Sequence, residues 1–277
     1  MNPQLALEKK VLSLDSAALT DRGQRRTINE DTVFQQTIQT ESGENLGLYL
    51  ICDGLGGLQA GEVASQIAVE TIISELTGML SILRAVSSEE HTQPSARMLQ
   101  NSIRAAIISA NSEIRNYAHN HAELASLGTT VTLALVAGTW VQIANVGDGR
   151  AYLWRRGKLA QLTEDHSLAG KLAKWGEIDE EDIVKHPRRN VLYRTLGMYE
   201  SAELEIDLFE QELQADDKLL LCSDGLWQAF PNKAQLERWL APHESAAEFC
   251  RRLVSEANRR GGMDNISVVV VNVEETA

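Results

Sequence analysis

Residues 46–54 read LGLYLICDG, an apolar run broken only by Gly47 that stops abruptly at Asp53-Gly54. A run this short and this apolar predicts a strand covered on both faces, and Asp-Gly at its end predicts a tight turn. Downstream the spacing changes. Val63, Ile67, Ile72, Leu76 and Met79 recur every three to five residues across 60–80, with Glu62, Glu70 and Glu75 elsewhere, which predicts an amphipathic helix. Leu99, Ile103, Ile107, Ala110, Ile114 and Tyr117 predict a second one that packs on the first. Strands are then expected at 129–136, 140–146, 151–154 and 158–162, punctuated by Ala137-Gly138, Gly147-Asp148-Gly149 and Arg156-Gly157. This reads as an antiparallel meander. Residues 163–201 carry little strand pattern. Strands resume at 218–222 and 266–273, with helices at 233–240 and 245–259 between them. Strand runs and long helices without strict alternation predict an α+β layered domain.

The chain shows no internal repeat and no Pro- or Gly/Ser-rich linker, so one domain over residues 1–277 is the expectation. Its formal net charge of −13 opposes phosphate backbones and anionic lipid, which argues against nucleic acid and membrane partners. The longest apolar stretches, 131–138 and 266–271, fall short of the roughly 20 residues that a bilayer requires. Residues 1–14 lack a basic start followed by an apolar core, so no export signal is expected. Cys52, Cys222 and Cys250 are an odd set at wide spacing, expected to be reduced and buried in a cytoplasmic protein. No heptad seam is visible, and a monomer is expected.

Three acids share one context. Asp53 follows LYLIC, Asp224 follows LLLCS and Asp264 precedes NISVVVV, so each stands where a buried strand meets a turn. If those strands lie side by side, the carboxylates converge at one rim and repel unless a divalent cation joins them. Oxygen ligands without clustered His or Cys select Mg2+ or Mn2+. The competing reading is plain turn chemistry. Around 53–57, DGLGG lacks the last glycine of G-x-G-x-x-G, since position 59 is Gln59, and no P-loop occurs. The glycines do allow close approach of the backbone, such as the Gly54 carbonyl, to a ligand. Arg25-Arg26 a few residues before Glu30-Asp31 can hold a phosphate and a cation together, or form a solvated charged loop. Gly147-Asp148-Gly149-Arg150 reads as a hairpin turn before it reads as a site.

Taken in order, TDRGQRRTINED (20–31), CDGLGGLQAGEVAS (52–65), SLGTTV (126–131), ANVGDGRAYLW (144–154), LTEDHSL (162–168), LCSDGLW (221–227) and MDNISVVVV (263–271) resemble the PP2C-like, or PPM, family. These are metal-dependent serine/threonine protein phosphatases, and the likeness is to the compact bacterial members, over about residues 19–273. The resemblance implies two antiparallel sheets packed as a sandwich and flanked by pairs of helices, four layers in all. It also implies a flap over about 166–200. Two Mn2+ or Mg2+ ions are implied, with a weaker third. By that resemblance Asp53 bridges two ions, the Gly54 carbonyl and Glu30 serve one, and Asp224 and Asp264 serve the other, largely through water. Asp31 supports the metals from behind, Asp148 joins Asp224 at the third ion, and Arg26 binds the substrate phosphate.

The reaction implied is hydrolysis of phosphoserine and phosphothreonine on proteins by water activated between the ions, without a phosphoenzyme. The partners implied are phosphorylated proteins and an opposing kinase. Two positions depart from the family pattern. Leu58 stands where many bacterial relatives have a His able to act as general acid, and Gln228 stands where many have an Asp that helps a third metal. His166 and His186 are candidate substitutes for the missing acid, against the plainer reading of structural histidines. The alternatives are a catalytically silent phosphoprotein-binding regulator and a phosphatase acting on small metabolites.

Overall fold

The computed structural model describes residues 12–40, 43–56, 60–85, 95–121, 127–198, 200–201 and 203–275. Asn45–Leu55 forms β3, and its alternating side chains explain why residues 46–52 are apolar throughout. Leu46, Leu48, Leu50 and Cys52 face two long helices, α1 (Ala60–Ala85) and α2 (Ala96–Asn120). Tyr49 and Ile51 face a second sheet. Successive residues of a strand point to opposite faces, so a strand between two layers must be apolar at every position.

β3 lies in a six-stranded antiparallel sheet ordered β2 (Asp31–Gln39), β3, β5 (Val131–Ala137), β6 (Trp140–Val146) and β9 (Asp207–Glu212), with the two-residue β4 (Gly128–Thr129) on the end of β3. The facing sheet has five strands: β1 (Leu12–Asp21), β11 (Ile266–Glu275), β10 (Lys218–Cys222), β7 (Arg150–Arg155) and β8 (Lys158–Gln161). Val269 and Val271 of β11 and Leu219 and Leu221 of β10 meet Tyr49 and Ile51 between the sheets. Val268, Val270, Leu220 and Cys222 point outward to Phe249 and Leu253 of α6 (Ala246–Arg259). The layers therefore run helix, sheet, sheet, helix. The short α4 (Asp224–Trp227) and α5 (Lys233–Trp239) complete the outer layer on the β11 side.

Several expectations need correction. The strands from 129 to 162 are not one meander: β5 and β6 pair in one sheet, while β7 and β8 pair in the other. The chain crosses at Gly147-Asp148-Gly149, which is therefore not a hairpin turn. Gly147 has φ +114, and a Cβ there would stand 2.5 Å from Thr130 Cγ2, so only glycine makes this crossing without strain. β10 and β11 are neighbours, but β3 belongs to the opposite sheet, so Asp53 meets Asp224 and Asp264 across the sandwich and not along one rim. β1, β2 and β9 were not expected. They are mostly half-exposed and mix polar with apolar residues, which blurs the alternation. By length and composition α1 is apolar enough to cross a bilayer. Here its Ile72, Leu76, Leu80 and Leu83 are buried with the residues of α2 and the β3 sheet.

Candidate active site

A cleft of about 240 Å³ opens where the two sheets meet at one end, and it brings Arg26, Glu30, Asp53, Asp148, Asp224 and Asp264 to one place. Gly54 of β3 is also in its wall. Each acid arrives from a different part of the chain. Asp53 is on the last turn-ward stretch of β3, where its N–H donates to Thr130 Oγ1 at 3.1 Å and its carbonyl accepts from Thr130 N at 2.9 Å. Asp224 opens α4 directly after β10, and Asp264 stands just before β11. Asp148 sits in the crossing between the sheets, its carbonyl held by Trp227 Nε1 at 2.9 Å.

Arg26 and Glu30 lie on the loop between β1 and β2. One side chain organises that loop: Asn265 Nδ2 donates to the carbonyls of Arg22 and Ile28, each at 2.9 Å, and its Oδ1 accepts from Glu30 N at 2.8 Å. The Glu30 carbonyl takes the Ser65 hydroxyl of α1 at 2.6 Å and the Gly54 amide at 3.2 Å. Gly54 is obligatory, because a Cβ would fall 2.1 Å from the Gly61 carbonyl where α1 begins against β3. Arg26 is half-exposed and donates from Nη2 to Asp264 Oδ2 at 2.7 Å, with Glu30 at 3.9 Å.

The electrostatics are one-sided. Burial, followed by repulsion from Asp31 and Asp224, lifts the Asp53 carboxyl well above its ordinary range. Asp224 is lifted by burial and then by Asp148 and Asp264, with Arg26 opposing. Asp148 is pushed up to about 7 by burial and then by Asp165. Behind the cleft, Asp31 pairs across the strands with Asp53 and is raised to about 6, chiefly by burial. Neither Asp31 oxygen has a hydrogen-bond partner among the described residues, although the Ser223 and Ser267 hydroxyls lie near enough to offset part of the burial penalty. Buried carboxylates without partners are rare and unfavourable. A hard cation would remove the repulsion, and an all-oxygen donor set fits Mg2+ or Mn2+. Among the described residues no three acids close on a single point as direct ligands do.

The candidate acids take other roles. His166 is buried, its Nδ1 accepting from Gly147 N at 3.1 Å and its Nε2 lying 3.1 Å from Asp207 Oδ2 and 3.0 Å from Arg194 Nη1. Burial lowers its pKa, so it is a neutral strut under the sheet crossing. His186 ends the 3-10 helix Glu180–Lys185 and accepts from Arg188 N at 3.2 Å. Neither histidine lines the cleft. Leu58 lies outside the described residues. Gln228 donates from Nε2 to Asp224 Oδ2 at 2.8 Å and accepts from Arg189 Nε at 3.4 Å, so its amide ties Asp224 to Arg189. Asn190 and Leu192 close one side of the cleft. Sequence reading missed these two and the organising role of Asn265. The one available signal was the position of Asn265 beside Asp264.

A protein phosphatase 2C family model matches residues 22–257. The serine/threonine phosphatase Stp of Listeria monocytogenes is 38% identical over 259 residues, which is 93% of this chain and 95% of that protein. The serine/threonine protein phosphatase PstP of Mycobacterium tuberculosis is 34% identical over 267 residues, 96% of this chain and 46% of its own length. Among solved structures, the S. agalactiae serine/threonine phosphatase superposes with a TM-score of 0.80 at 29% identity, covering 95% of this chain and all of that one. The catalytic domain of PstP in complex with two manganese ions gives a TM-score of 0.76 at 33% identity, covering 96% of this chain and all of that one.

Proposed function

This chain belongs to the protein phosphatase 2C family, and from that premise we propose a role for each residue of its cleft. The protein is a metal-dependent serine/threonine protein phosphatase of the bacterial type. Asp53, Glu30 and the Gly54 carbonyl would hold one Mn2+ or Mg2+, and Asp53, Asp224 and Asp264 a second. Asp148 and Asp224 would serve a weaker third, with Asp31 behind them. Bound there, the ions would acidify a water for attack on phosphorus near neutral pH and would offset charge on the phosphoryl oxygens.

The chain's own groups do the rest. Arg26 is the cation facing the cleft whose planar fork matches phosphate oxygens, and its exposure leaves it able to turn from Asp264 toward a substrate. Asn265 keeps Arg26 and Glu30 in register by fixing the loop that carries them. Asn190 and Leu192 narrow the opening. Cys52, next to Asp53, packs toward the helices, and burial raises its thiol well above the usual range, so no thiolate nucleophile competes with water. The reaction proposed is direct hydrolysis by water, without a phosphoenzyme.

The single observation carrying this reading is the convergence of Asp53, Asp148, Asp224 and Asp264, with one arginine, at the end of the sandwich. The substrates are phosphorylated proteins. Their kinase is the opposing partner, met by a monomer in the cytoplasm. Three free buried cysteines support a reducing compartment. The test is phosphate release from a phosphothreonine peptide by chelator-stripped protein, with and without Mn2+ or Mg2+. Release only with metal, and faster than from sugar phosphates, is expected. A folded, metal-loaded protein that releases nothing, or that prefers sugar phosphates, would overturn the assignment.

A further inference from the structure

A second cavity, of about 290 Å³, shares no lining residue with the carboxylate cleft. It lies beside α3 (Leu168–Lys174), and Arg150, the first residue of β7, is in its wall. The Arg150 side chain is only 13% exposed. Its Nε and Nη2 donate to the two Asp165 oxygens at 2.8 and 2.6 Å, its Nη1 donates to the Tyr152 hydroxyl at 3.1 Å, and its plane lies 3.7 Å over the Trp227 ring. A guanidinium carries five N–H donors in a fixed fork. These bonds occupy three, and no further acceptor for Arg150 occurs among the described residues. A rigid guanidinium whose charge Asp165 meets but whose N–H groups are not all used, set in the wall of a cavity, is the hydrogen-bonding half of an oxyanion site.

The charge around the opening supplies the other half. Lys174 is paired with Glu164 at 2.5 Å, and Arg150 is paired with Asp165, so these charges cancel. Lys171 and Lys233 remain, set against Glu180 alone, in a chain whose net charge is −13. Lys171 Nζ stands 4.9 Å from the Trp175 ring, held by an aromatic face where a carboxylate would have neutralised it. The two cavities are also adjoining: Leu192 lines the first, and Tyr193, the next residue, lines the second.

We infer that the second cavity is an accessory oxyanion site for a phosphate group beside the one being hydrolysed. The inference rests on the phosphatase reading for the source of that group, and not for the site itself. The source is either a second phosphoryl group on the same substrate or free inorganic phosphate. Fluorescence anisotropy on the Mn2+-loaded protein, with hydrolysis followed in parallel, tests both. The probes are a peptide with one phosphothreonine and a series with a second phosphothreonine about two to six residues away.

The expected result is that one spacing binds about tenfold tighter than the single phosphopeptide. Lys171→Glu with Lys233→Glu brings that ratio to about one, and Lys171→Arg with Lys233→Arg keeps it. Inorganic phosphate that erases the advantage before it displaces the single phosphopeptide marks free phosphate as a ligand too. Phosphate that displaces both together assigns the site to the substrate's own second group. Equal affinity at every spacing, or a ratio that survives the charge reversal, overturns the inference. Loss of hydrolysis with the ratio intact would instead sink the phosphatase reading and leave the site standing.

Discussion

Asp217 and Asp224 are both buried, one before and one after β10, and the fold provides for them in opposite ways. Asp217 receives Arg155 Nε at 2.8 Å, Arg155 Nη2 at 2.6 Å and the Gln214 amide at 2.7 Å, so its charge is met within the chain. Asp165 is met in the same manner by Arg150. Asp224 faces Asp148, Asp264 and Asp31, with Arg26 and the neutral Gln228 amide as its counterparts. The lesson is that burial alone does not mark a site. Burial of like charges without internal compensation does, because such a cluster persists only where something outside the chain completes it.

Substitution in the uncompensated set and in the compensated one should have opposite consequences. Asp53→Asn removes the acid at the centre of the uncompensated set. Metal-dependent phosphate release should fall about 10²- to 10³-fold, while the metal-free variant should unfold at higher urea than wild type because one repelling charge is gone. A metal-free variant less stable than wild type would contradict the electrostatic account. Arg155→Ala leaves Asp217 with the Gln214 amide but no cation and should destabilise the protein by about 3 kcal/mol in urea titration, with no change in the Mn2+ concentration that half-saturates activity. A shifted metal requirement there would blur the distinction between the two sets.

The two sets should also differ in their response to pH. In the metal-free protein Asp31 lies at about 6 and Asp148 at about 7, above the ordinary value of 3.8. The folded state then holds these protons more tightly than the unfolded state does. Their contribution is complete below the ordinary value and is lost as pH climbs through the folded values. Metal-free stability should therefore fall between about pH 4 and pH 7, by at most about 1.4 kcal/mol per carboxyl for each pH unit crossed, and Mn2+ should flatten the profile. Urea midpoints across that range check it, and a metal-free midpoint that rises with pH would count against the cluster. The smallest effect is expected of Gln228→Asp. It replaces the amide donor on Asp224 with another acid and should lower the half-saturating Mn2+ of the weakest site a few-fold, read from activity against Mn2+. An unchanged titration would mean that Gln228 matters only to Arg189.

Much of this was legible in the chain. LGLYLIC announced a strand covered on both sides because both of its faces are in fact buried, and Asp53, Asp224 and Asp264 announced themselves by ending or preceding such strands. β9 was illegible because it is an edge strand, and DLFEQE, with Glu210 and Glu212, reads as surface. The partition of β5 to β8 between two sheets was hidden for another reason: a crossing glycine and a hairpin glycine look alike until Thr130 is seen pressing on Gly147. The roles of Asn265, Asn190 and Leu192 depend on segments far apart in sequence and have no local signature.

Calorimetric titration of chelator-stripped protein with Mn2+, comparing wild type, Arg155→Ala and Asp53→Asn, reads metal uptake by the acidic cluster itself. Wild type and Arg155→Ala should each take up about two tightly held ions, and Asp53→Asn should lose that binding. Equal uptake by Asp53→Asn and wild type would contradict the claim that this cluster is the chain's provision for metal.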